Sequence, residues 1–516
     1  MTAEPEDVPV SVPTARSGGY IGMANLLGRG VDRLMAFGQI VLVAYAFGAS
    51  NGADLFFLAG IVPLTIGFVV GEPLGRAFLT MLLSQEREVP ADELAAGGML
   101  VTAVVVTAVT GIYLAVALPL VGWLHPDGQA ALGPWIAFAP LGIVIGTGAY
   151  LGALLVWQER YLWAAARFPV GGTLALLLMG AAVHYTNGIN TVAAAVTIGY
   201  TLALVPLFAA VGAGLGSQWP TRATRRALRA TWSGRRRLAA AVGGGLIGGQ
   251  IVVLLERLFA APLGLGAVSS LSYARGVAGA PALVSEASSA GAYPGFARAA
   301  SVRDYDFLRD SFFVWFRVTM IAGIAFAVYF GLFGHDVIAL LFERGRFGVN
   351  DSTRAGSILV AFALSTVASA AVALFVTLLY GLDSFVGILY REIAVLTVYL
   401  VAAPLLRAAD GVVGLAWAFS AAQSVGAVLA GVLVFRRLAI GRRGLAVDGL
   451  APLAVPVGAL ALGLLLARIS LDRVAGDPSL RAAVGAGTVA VVGGAILARS
   501  PLPEARRVRR VARRRD

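Results

Sequence analysis

Fourteen apolar stretches, each long enough to cross a bilayer, account for most of this chain of 516 residues. They run near 20–48, 53–83, 94–123, 131–157, 162–184, 190–215, 239–262, 266–297, 311–334, 352–380, 384–406, 411–435, 450–470 and 480–499. A helix needs about 20 apolar residues to span the hydrocarbon layer. Inside that layer every backbone N–H and C=O must be satisfied by the chain, which a helix does alone. The pattern predicts an all-α polytopic membrane protein with about 14 transmembrane helices. Charged residues make up 13% of the chain, about half the usual share of roughly 25% in soluble proteins.

The same composition narrows the chemistry. There is no cysteine, so neither a disulfide nor a thiolate metal site can form. The three histidines, His125, His184 and His335, are far apart in sequence, which argues against a histidine metal centre. No ATP-binding P-loop and no nucleophile–base arrangement is evident. The expectation is a protein that is not an enzyme, with no catalytic residues, no cofactor and no bound metal. An ion gradient, of protons or sodium, remains a possible energy source.

All 40 basic residues are arginine. With the N-terminus inside and the spans alternating, the inner loops and tails hold 25 of them and the outer loops five. Cytoplasmic loops carry the basic excess in membrane proteins. Both termini are therefore expected in the cytoplasm. The expected divisions are a disordered acidic tail at 1–18, six spans within 19–216 and a basic linker at 217–238. Six more spans follow within 239–438, then two at 449–500 and an arginine-rich tail at 501–516. Two six-helix lobes joined by a linker are a known transporter plan, with the substrate between the lobes. The arginine clusters at 222–237 and 506–515 suit anionic lipid head groups; recruitment of envelope-synthesis proteins is the other use for them. The last two spans read either as a lipid-facing appendage or as a groove for a long lipid tail.

The most informative stretch is the first turn, Phe47-Gly-Ala-Ser-Asn-Gly-Ala-Asp54. Its glycines and Asn51 tolerate a tight reversal. Asp54 opens the next run, where a carboxylate accepts from free helix N–H groups. The flanking spans carry Asp32-Arg33 and Glu72 with Arg76. Charges at membrane depth cost several kcal/mol and face a bundle interior or watery cavity. The first span after the linker repeats the acid–arginine doublet as Glu256-Arg257, and the next has Pro281 and Glu286. Further on, Glu343-Arg-Gly-Arg346 reads as a salt-bridged loop turn, with Asn350-Asp351-Ser352 capping the following helix.

Four stretches in order carry a resemblance. They are Phe47-Gly-Ala-Ser-Asn-Gly-Ala-Asp54-Leu-Phe-Phe-Leu-Ala59 with Pro63, Ser272-Tyr-Ala-Arg275 with Pro281, Leu341-Phe-Glu-Arg-Gly-Arg-Phe347, and Gly411-Val-Val-Gly-Leu-Ala-Trp-Ala-Phe-Ser420. Together they resemble the MviN/MurJ-type lipid II flippases of the multidrug/oligosaccharidyl-lipid/polysaccharide exporter superfamily. The resemblance implies two six-helix lobes in a V and a substrate with a pyrophosphate-sugar head and a polyprenyl tail. It also implies cavity arginines, which suit pyrophosphate oxygens. Arg33 and Arg275 fall at or beside those positions, and Arg76 lies near another. Gln39, Gly67 and Gly276 stand where the family has arginine. Arg33, Arg275, Arg76, Gln39 and Asp54 are thus the candidate substrate contacts. Glu72, Glu286, Glu256 and Arg257 are candidates for coupling or gating, or for interhelical bonding. The expected function is a flippase for lipid II or a related precursor. An ion-coupled drug exporter and a non-transporting scaffold are the alternatives.

Overall fold

The computed structural model describes residues 15–71, 74–75, 78–79, 82, 91–124, 129–215, 249–282, 285, 296, 299–300, 303–382, 384–474 and 477–499. Glu72, Arg76, Glu286, the basic linker at 217–238, the tail at 501–516 and the first 14 residues lie outside that set. Among the described residues there is no strand. Helix α1 is Ala15–Phe47, so helix begins inside the stretch expected as a tail.

Helix α2, Asn51–Ile66, follows after a three-residue turn and widens into a π-turn at Gly67–Gly71. Helices α3 (Ala91–Leu124), α4 (Gln129–Trp157), α5 (Tyr161–Tyr185) and α6 (Ile189–Leu215) complete the first half. Within it α5 packs on α1 and α6, and α4 on α2, α3 and α6. A side chain at Gly67 would put its Cβ 2.7 Å from Ile145 of α4. The two helices are too close there for the arginine that the resemblance implies, and Gly67 is what that contact permits.

The second half starts with α7, described over 249–260, then a 3-10 turn at Ala261–Leu263 and α8, Ala267–Ala278. Helices α9 (Tyr305–Phe342) and α10 (Val349–Gly381) pack along each other. The segment Phe385–Arg437 is two helices, α11 and α12, which meet where Asp410 and Gly411 leave helical geometry. That break agrees with the reversal expected between spans ending at 406 and starting at 411. The two halves touch through α8 on α1 and α2, and through α1 on α9.

Helices α13 (Ala451–Val474) and α14 (Pro478–Arg499) lie against α9. Buried Asp336 of α9 pairs with Arg468 of α13 and, at 3.3 Å, with Arg481 of α14. The Tyr329 hydroxyl donates to the Ala482 carbonyl at 2.9 Å. Arg468 is therefore a packing residue within a helix. The carboxylate that draws it in is on a helix more than a hundred residues earlier.

Candidate substrate cavity and hairpin seal

The turn between α1 and α2 is bonded to the second half of the chain at several points. Helix α2 is capped by Ser50, whose hydroxyl accepts from the Ala53 N–H at 3.4 Å. Asp54 is thereby free of its own helix end. Its two oxygens accept from the Gly266 and Ser269 N–H groups, both at 2.7 Å, so it caps α8 of the opposite half. A carboxylate belongs at such an end, where N–H groups lack intrahelical partners and the helix dipole is positive. The structure thus keeps Asp54 in the first turn of α2 but turns its carboxylate to the junction between halves, where it caps a different helix from the one expected.

Three further bonds close the junction. The Tyr273 hydroxyl donates to the Gly48 carbonyl at 2.7 Å. The Arg346 N–H donates to the Tyr45 carbonyl at 2.9 Å. Asp351 accepts from Ala49 at 3.4 Å and from Gly348 at 3.2 Å. Beneath them the Tyr273 ring meets Phe57 edge-on at 5.3 Å and also contacts Phe342 and Phe347. The salt-bridged turn expected at Glu343–Arg346 is not what forms. Among the described residues no ion pair joins Glu343 to Arg344 or Arg346, and the Arg344 guanidinium donates to the Leu340 carbonyl instead. The expected capping by Asp351 does occur, and it is shared with the hairpin.

Below the seal, a cavity of about 110 Å³ lies between α8, the residues after it, α10 and α12. Arg275, Gly279, Ser285, Ser365, Thr366 and Phe419 are among its lining residues. The Arg275 guanidinium pairs with Glu256 of α7 and lies over the Phe419 and Phe362 rings, at 4.1 and 4.8 Å from their centres. Glu256 is fully buried, and its other oxygen has no hydrogen-bond partner among the described residues. The Arg275 side chain keeps 21% exposure, so it still faces the cavity. From the first half, Arg33 of α1 donates to the Gly279 carbonyl at 3.4 Å. Arg275 thus lines the cavity from the second half, and Arg33 of the first half reaches the backbone of one of its lining residues.

The remaining candidates lie elsewhere. Arg257 donates to the Phe57 carbonyl of α2 at 2.7 Å, with its guanidinium 5.9 Å from the Phe57 ring centre. Gln39 donates to the Gly172 carbonyl of α5 at 3.1 Å, inside the first half. Gly276 faces α1, where an added Cβ would stand 3.0 Å from the Ile40 side chain. One buried polar group was not anticipated. Arg391 pairs with its neighbour Glu392 and donates to Gln423 of α12. Gly426 makes room for it, since a Cβ there would stand 3.1 Å from Arg391 Nε. The signal was present, an acid–arginine doublet inside an apolar run like those at 32–33 and 256–257.

Two packed groups of membrane-length helices, a charged cavity in the second whose wall the first touches through Arg33, and a hairpin bonded across them define a multi-pass membrane transporter. Its family follows from the sequence match. The chain belongs to the lipid II flippase MurJ family, whose model matches residues 43–475. Arg33 and Gln39 lie just ahead of the matched residues. A solved structure of lipid II flippase MurJ in an inward closed conformation superposes with a TM-score of 0.73 at 16% identity, over 92% of this chain and 99% of that one. A MOP superfamily transporter from Pyrococcus furiosus gives 0.59 at 15% identity, over 82% and 95%. A Vibrio cholerae MATE transporter gives 0.56 at 15%, over 83% and 98%. At these identities the likeness is one of fold. No curated protein matches the chain.

Proposed function

We propose that this protein moves a polyprenyl-pyrophosphate-linked sugar, lipid II or a related envelope precursor, across the bacterial inner membrane by alternating access. The observation that carries the reading is that Arg275 lines the cavity while Arg33, from the other half, donates to the carbonyl of Gly279, a lining residue. Guanidinium groups hold phosphate oxygens through paired N–H donors. Drawn from both halves, they would hold a pyrophosphate where relative motion of the halves carries it across, while the prenyl tail stays in lipid. The arginine asymmetry of the loops supports a hairpin on the outer side, which would make the sealed state the one that loads from the cytoplasm. Substrate drives the motion only through different affinities for the two states, and an ion gradient or the membrane potential supplies direction. Glu72, Glu286 and Glu256 are the candidate carriers of a coupling proton. The arginine-rich linker and C-terminal tail would contact anionic lipid head groups.

The test is lipid II binding by native mass spectrometry in detergent, for the wild-type chain and for Arg33→Ala and Arg275→Ala. Binding that is lost in both variants is the expected result. A folded wild-type protein that fails to bind lipid II removes that substrate and leaves another prenyl-linked glycan or a scaffold.

A further inference from the structure

We infer that Glu256 and Arg257 form a switch that reports cavity occupancy to the hairpin seal. This rests on the reading of Arg275 as the contact for the pyrophosphate. In the sealed state the Arg275 guanidinium is already held by an anion from within the chain, Glu256. A pyrophosphate entering the cavity competes with that carboxylate for the same donors, and it brings more negative charge. Phe362 and Phe419 hold the guanidinium plane from the side, so the exchange takes place without Arg275 leaving the cavity wall.

The displaced carboxylate has few places to go. Glu256 is fully buried, and among the described residues one of its oxygens already has no hydrogen-bond partner. A buried charge that loses its partner is strongly unfavourable. The next cation along the chain is Arg257, the following residue of α7. Adjacent arginine and glutamate do pair in this protein, as Arg391 and Glu392 show on α11. Arg257, however, is what ties α7 to the hairpin helix, through the Phe57 carbonyl and ring. Phe57 in turn packs on Tyr273, whose hydroxyl holds the Gly48 carbonyl of the turn.

Glu256 thus has two arrangements, on Arg275 or on Arg257, and the ligand biases between them. With the cavity empty, Arg257 stays on Phe57 and the hairpin is closed. With the cavity filled, Arg257 turns to Glu256, the bond to α2 is released and the seal is freed to open. The arrangement prevents opening without cargo.

The chain has no native cysteine, so one introduced thiol reads the seal. Ser269, fully buried beside Asp54, is replaced by Ser269→Cys and labelled in proteoliposomes with a membrane-impermeant maleimide from the hairpin side. Labelling of this parent is expected to be slow alone and to rise about tenfold or more with a polyprenyl pyrophosphate, which corresponds to a shift between two states. With Glu256→Gln, binding of the polyprenyl pyrophosphate is retained or tightened, but labelling no longer rises. With Arg257→Gln, labelling is fast without ligand. A ligand-dependent rise that persists in Glu256→Gln, or slow labelling in Arg257→Gln, overturns the switch while leaving the cavity reading intact. Parent-level binding by Arg275→Ala overturns the cavity reading, and the switch with it. The Arg257→Gln measurement needs no ligand, so it judges the latch by itself.

Discussion

At the hairpin, every bond that closes the two halves has a main-chain atom at one end or both: Asp54 on Gly266 and Ser269, Tyr273 on Gly48, Arg346 on Tyr45, Ala49 on Asp351. At the cavity wall, the contacts that fix Arg275 are all made by side chains, those of Glu256, Phe362 and Phe419. Main-chain atoms move only when their helices move. The seal therefore registers whether α1, α2 and α8 are in place, and its bonds are made or lost together. Side chains re-pair one at a time while the helices stand still. A transporter needs both behaviours, one surface that exchanges partners with a ligand and another that responds only to rigid-body motion.

The largest expected effect is at the cavity wall. Arg275→Ala takes from Glu256 the partner it has in the sealed state, and removing one partner of a buried pair costs about 3–5 kcal/mol, of which re-pairing with Arg257 returns only part. The thermal midpoint of the detergent-solubilised protein should fall, and Glu256→Gln added to it should recover most of the loss. A double variant no better than the single would show that the wall is not held by this pair. Next comes the seal. Asp54→Ala removes two hydrogen bonds to a charged acceptor, each worth about 1.5–3 kcal/mol. Hydrogen exchange at Gly266 and Ser269 should speed up by about a hundredfold, on the order of 3 kcal/mol. The smallest is Tyr273→Phe, which deletes one hydroxyl bond worth about 1 kcal/mol and should raise exchange in the same turn of α8 several-fold. If Tyr273→Phe exceeded Asp54→Ala, the aromatic stack and its hydroxyl, and not the helix cap, would be the main fastening.

Much of this was legible in the residues. Apolar runs of span length placed the helices, because the bilayer demands that length, and the glycines and Asn51 marked the hairpin. The type of Asp54 announced an acceptor for helix N–H groups, but not which helix, since Gly266 and Ser269 are more than two hundred positions away. Acid–arginine doublets marked half-buried charge at 32–33 and a buried acid beside a half-buried arginine at 256–257. What a doublet does afterwards depends on helical phase, because neighbours point about 100° apart. Glu256 and Arg257 part, one to Arg275 and the other to Phe57, whereas Arg391 and Glu392 join. The glycine at 67 was visible as a departure from the family pattern, but its cause, the closeness of Ile145, exists only once α2 and α4 are packed.

Asp336 has a consequence for the length of the chain. Its carboxylate is buried on α9 and is neutralised by arginines of the last two helices. A protein shortened after α12 would carry an unmatched negative charge on an apolar helix surface in lipid. The C-terminal pair is therefore not a removable extension of a twelve-helix machine: truncation has to be accompanied by a neutral residue at 336. With that change, a twelve-helix form would separate what the last two helices contribute to transport from what they contribute to holding α9.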